Sequence, residues 1–205
     1  MRTRRGIAVG WAGVCAALCL LLQGCAPAPE RVRPAIEEVN QKFKTQYERI
    51  LAEKGTRLFS VKPADAFLGT RNAIFHLGMR LESQDPDLGY LSFAAPAPTP
   101  LNLKEWEKVA QADLPLMQSI AARHIGLPAY LITFEPDGLE IVINATVLPA
   151  AGGSEISLTA RMRQVKPPPS GMPRREYAPP TGVHIALDKL WNRIEGELKV
   201  KGRAP

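Results

Sequence analysis

Two alternating runs late in the chain, Leu139–Leu148 and Ser154–Arg163, limit the fold more than any other feature. Leu139, Ile141, Ile143, Ala145 and Val147 share one face, as do Ile156, Leu158, Ala160 and Met162. Period-two alternation marks strands with one dry face, and the opposite face, with Glu155, Ser157, Thr159, Arg161 and Arg163, seeks water. Such a sheet needs a helical cover. The chain closes with one: Val183, Leu187, Leu190, Trp191, Ile194 and Leu198 recur at helical spacing as a single apolar stripe.

The preceding residues supply the rest of the sheet and its helices. Ile36, Val39, Phe43, Tyr47, Ile50 and Leu51 predict an amphipathic helix over 35–56, ending near Lys54 with Gly55 as its stop and packed on the chain's own domain. Arg57–Val61 reads as a short strand, and Pro63 as the first residue of a helix with Phe67, Ile74 and Leu77 inward, ended by Gly78. Met79–Gln84 and Tyr90–Ala95 flank the turn Asp85-Pro86-Asp87-Leu88-Gly89 and predict a hairpin. Three prolines make Ala94–Pro100 a loop.

Asn102 and Glu105 form a capping-box pattern, with Leu101 placed to staple onto Trp106. Val109, Leu116, Ile120 and Ile125 continue that helix, and Pro115 inside it predicts a kink or break. Tyr130, Ile132 and Phe134 alternate with Leu131, Thr133 and Glu135, which predicts a further strand before the turn Pro136-Asp137-Gly138. Lys166–Pro180 holds six prolines in fifteen residues and is an extended surface loop. The fold expected is α+β: an antiparallel sheet of five to six strands with helices packed on one face, forming one domain over 57–205. Phe75-His76-Leu77-Gly78 and Arg123-His124-Ile125-Gly126 echo each other before two hairpins, hinting at two helix–strand–strand units, though the match is too short to establish a repeat.

The N-terminus decides the address. Arg2, Arg4 and Arg5 precede an apolar run from Gly6 to Leu22, the order of a signal peptide. The run stops at Leu22-Gln23-Gly24-Cys25, which resembles the lipobox of bacterial lipoproteins. The resemblance implies cleavage between Gly24 and Cys25, removal of 1–24, a lipidated tether over 25–34, and acylation of Cys25. Cys15 and Cys19 leave with the signal, so the mature chain carries one cysteine and no internal disulfide. Ala26, rather than aspartate, follows the cysteine, which by the same resemblance implies the periplasmic face of the outer membrane. The element order and the lipobox together look like the helix-grip domains of some outer-membrane assembly lipoproteins.

Charge and motif content narrow the function. Without the three signal arginines the formal balance falls from +6 to about +3, which is not a nucleic-acid-binding charge. No Gly-x-Ser-x-Gly, Walker loop, His-Glu-x-x-His or Cys-x-x-Cys is present, so no catalytic residue, cofactor or metal ligand is nominated. His76 and His124 sit where imidazoles favour helix C-termini, and no Asp or Glu is expected at ligand spacing beside any of the three histidines. Two readings remain open. In the first, a lipid-anchored, non-enzymatic scaffold docks an envelope protein or lipid headgroups on Arg161, Arg163, Lys166, Arg174 and Arg175, five cations in an acid-free stretch. In the second, an apolar ligand sits between sheet and helices in a cavity lined by Phe75, Tyr130, Phe134 and Trp191.

Overall fold

The computed structural model describes residues 27–168 and 171–201. Four helices, α1 (Pro29–Lys54), α2 (Pro63–His76), α3 (Leu103–Ile125) and α4 (Pro180–Lys201), accompany five strands: β1 (Thr56–Phe59), β2 (Arg80–Asp85), β3 (Tyr90–Pro96), β4 (Leu139–Ala150) and β5 (Gly153–Gln164). The strands form one antiparallel sheet in the order β1-β5-β4-β3-β2. The fold is α+β, as the alternation and helical stripes predict.

The β4–β5 register places Ile143 opposite Ala160 and Ala145 opposite Leu158, so the alternating sets share the dry face. On that face lies the closing stripe. Leu187, Leu190, Trp191 and Ile194 have no exposed surface and join Ile143, Ile156 and Leu158 in one cluster. Trp191 Nε1 donates to Lys54 O at 2.7 Å, and its ring lies 4.9 Å beneath the Arg57 guanidinium carbon. Gly69 lets α2 approach α4, because a Cβ there would meet Leu198 Cδ2 at 2.5 Å. Among the described residues the other sheet face carries no helix. A ladder of charges crosses it instead: Arg163 Nη2 lies 2.6 Å from Glu140 and 2.9 Å from Glu82.

Local rules account for most ends. Asn102 Oδ1 accepts from Glu105 N while Glu105 Oε2 accepts from Asn102 N, completing the capping box. Asp85 Oδ1 accepts from the backbone of Asp87 and Leu88 and sets the β2–β3 turn, which Gly89 completes at φ +64°. The start of α4 is capped from another helix. Asp113 of α3 accepts from Thr181 N at 2.9 Å and from Thr181 Oγ1 at 2.8 Å.

Three expectations need correcting. The first helix begins at Pro29, not at Ala35, so most of the expected tether is helical. Pro29 occupies a first-turn position where a missing N–H is harmless, and Pro34 is carried inside the helix. The segment Tyr130–Glu135 is not a strand. Gly126 (φ +69°) and Pro128 open a short 3₁₀ helix, Leu127–Leu131, and the following backbone finds partners on α3: Gln118 Nε2 donates to the carbonyls of Tyr130 and Ile132, and Trp106 Nε1 to that of Phe134. Those bonds remove the need for a ladder. Pro115 neither breaks nor ends α3, which runs through it. The two helix–strand–strand units do exist in element order, yet α2 packs on the sheet whereas α3 packs against α1 and α4.

Candidate functional site

Gly24 and Cys25, with the whole signal segment, lie outside the described residues. The remaining candidates separate cleanly. Phe75 and Tyr130 are exposed, Phe134 is stacked on Trp106 at 4.8 Å in a side cluster, and Trp191 is in the main core. They do not line a common cavity. The void beside Trp106, Ile141 and Val183 is about 20 Å³, about the size of one water.

The cationic candidates do converge. Arg161, Arg163 and Gln164 at the end of β5, with Arg174, Arg175, Glu176 and Tyr177 of the following loop, line an open basin of about 260 Å³. Lys166 is exposed outside it. The loop is not a free arm, because its second half is pinned to α1 and β5. Asn40 Nδ2 donates to Arg174 O at 2.9 Å, Gln164 Oε1 accepts from Arg175 N, and Tyr177 packs on Tyr47 at 5.8 Å between ring centroids.

The arginines of the basin are not equivalent. Arg163 belongs to the cross-strand ladder, and its hydrogen bonds to Glu140 and then Glu82 raise its already high pKa and neutralise its charge. Arg161, Arg174 and Arg175 have no acidic partner among the described residues. Beside Arg161 and Thr159 lies Tyr47, whose buried hydroxyl makes no hydrogen bond of good geometry among the described residues. Burial pushes its pKa up, with Arg161 and Thr159 opposing. The basin therefore presents fixed positive charge without internal acid to balance it, apart from Glu176.

A second feature, which reading the sequence element by element missed, adjoins the first. Val32, Ile36 and Val39 of α1 face Met117 and Ile125 of α3 across an open apolar groove of about 320 Å³. Arg175 lines both groove and basin. The groove exists because the helices meet through small side chains, Ala35 and Ala121, clustered with Ala129. One polar clasp holds them together as well. Glu38 accepts from His124 Nε2 at 2.8 Å and pairs with Arg123, and these contacts, His124 first, hold its carboxyl below the usual carboxylate range. The α1 apolar positions were legible in the sequence, but their pairing with α3 was not.

The three histidines are dispersed, but against expectation the fold sets a carboxylate beside each: Glu197 at His76 and Glu38 at His124 come from distant elements, and Asp188 lies one helical turn from His184. Among the described residues no three His, Cys, Asp or Glu side chains are grouped as metal ligands would be. Fold and site together define an α+β protein with a cationic basin beside an apolar groove. Comparison with protein families, characterised proteins and solved structures finds no match.

Proposed function

We propose that this chain is a lipid-anchored envelope protein that works by binding rather than by catalysis, and that its docking site is the basin of Arg161, Arg174 and Arg175. The partner chemistry that fits is an acidic protein segment with an apolar side, its carboxylates on the arginines and its apolar side in the neighbouring groove. One observation carries this reading: three guanidinium groups share one basin with no acidic partner among the described residues, while Arg163 beside them is tied to Glu140 and Glu82. Pairing unpaired arginines with carboxylates is worth more than the same contact to an already bridged one, because the charge is still available.

The anchor is supported by Leu22-Gln23-Gly24-Cys25 behind its basic and apolar run. Among the described residues no helix is long and apolar enough to cross a membrane. An outer-membrane, periplasm-facing address follows from Ala26 by the lipoprotein resemblance. The reading of an apolar-ligand carrier between sheet and helices has lost its proposed lining, since Phe75, Tyr130, Phe134 and Trp191 do not meet.

Photo-crosslinking tests the docking site. A photoreactive residue at Glu176, which lines the basin, is expected to capture a discrete protein in native envelopes, and charge reversal of Arg161, Arg174 and Arg175 to Glu is expected to abolish that adduct. Adducts to lipid alone, or a protein adduct indifferent to the reversal, would contradict the site.

A further inference from the structure

The end of the molecule nearest the N-terminus carries apolar side chains that neither core nor groove uses. The first turns of α1 lie against the last turns of α3: Ala35 clusters with Ala121 and Ala129, and Glu38 reaches Arg123 and His124. The 3₁₀ helix Leu127–Leu131, which follows α3 directly, is therefore beside the start of α1. Buried Ala129 fixes that turn in place. Leu127 and Leu131 are each 82% exposed and Tyr130 is 60% exposed, and in a 3₁₀ helix Leu127 and Tyr130, three residues apart, share a face that Leu131 flanks. From Ala121 to Phe134 there is no acidic residue. Arg31, on the first turn of α1, has no acidic partner among the described residues.

An acylated Cys25 would bring a particular surface to this end. Three residues separate Cys25 from Pro29, and the four steps between them span at most about 14 Å even fully extended. The lipid would therefore hold the start of α1, and the 3₁₀ helix beside it, close to the bilayer. Leucine favours the acyl boundary, tyrosine the headgroup level, and an unpaired arginine anionic headgroups. Resting on the anchor reading above, we propose that Leu127, Tyr130 and Leu131 are a second membrane contact. They enter the interfacial layer of the bilayer that holds the anchor and set the orientation of the domain upon it.

The single mature cysteine makes the test direct, because acylation of Cys25 leaves no other thiol to label. Leu131→Cys and, as a control, Leu88→Cys are labelled with a nitroxide in the full mature lipoprotein, reconstituted into phosphatidylethanolamine and phosphatidylglycerol vesicles. Leu88 is equally suitable for labelling, being exposed on the β2–β3 turn, where Gly89 meets Val147 at the far end of β4 from Leu139. The ratio of collisions with membrane-dissolved oxygen to collisions with a water-soluble nickel chelate is expected to be several-fold higher at 131 than at 88. Equal ratios with Cys25 acylated would overturn the contact and leave the anchor standing. A label at 131 shielded from both probes would mean that protein covers this face, and would also overturn it. An unmodified Cys25 in the mass spectrum would overturn the anchor and the contact together.

Discussion

Two helix interfaces of this molecule are built on different principles. On one, Leu187, Leu190, Trp191 and Ile194 fill the space against the sheet and α2 with large side chains that have no exposed surface. On the other, α1 and α3 meet through alanines and a solvated ion-pair clasp, and a groove of about 320 Å³ stays open between them. A filled interface carries stability, whereas an interface of small residues leaves surface available to something else. The binding surface proposed above accordingly adjoins the open α1–α3 interface and not the filled space between α4 and the sheet.

The sharpest way to break that contrast is to cut into the filled side. Trp191→Ala should cost about 3–5 kcal/mol, a large part of the ~5–15 kcal/mol that holds a domain together. Urea denaturation reads it directly. Trp191→Phe should keep part of the packing while losing the Nε1 bond to Lys54 O and some ring volume, a smaller effect of about 1–3 kcal/mol. If the alanine variant were no less stable than the phenylalanine one, the account of the filled side would be wrong.

The smaller prediction sharpens the comparison through two carboxylates with opposite signs. Asp113 is buried, and the loss of hydration raises its pKa despite the two bonds from Thr181. A raised folded-state pKa means that the native state holds its proton more tightly, so Asp113 favours folding in acid and loses that contribution as pH rises through its folded pKa. Glu38 is the reverse. Its lowered pKa favours folding above the usual carboxylate range, and that contribution disappears as pH falls through its folded pKa. On acidification Glu38→Gln should lose less stability than the parent, and Asp113→Asn more. Denaturation midpoints measured across the acid limb check both, and matching slopes for the two variants would contradict the assigned environments.

Features set by residues close in sequence were legible. The Asn102–Glu105 box, the Asp85 turn, the β4–β5 alternation and the Trp191 stripe each depend on neighbours within a few positions, and each stands as expected. What escaped depends on distant partners. The Tyr130–Glu135 alternation is real, but Gln118 and Trp106 of α3 satisfy its carbonyls and take the place of a neighbouring strand. Arg163 looked like a free cation until Glu82, 81 residues away, was brought beside it. Asn40 turns a proline-rich loop into a docked one from 134 residues away. The apolar groove has no local signature either, because it arises from Ala35 and Ala121 meeting between two helices.

The proposed anchor at Cys25 underlies both the proposed address and the proposed membrane contact, and mass spectrometry of the protein taken from native membranes tests it most directly. The account predicts a mature N-terminal peptide that begins at acylated Cys25 and disappears in a Cys25→Ala variant. A mature chain beginning elsewhere, or an unmodified Cys25, would contradict it.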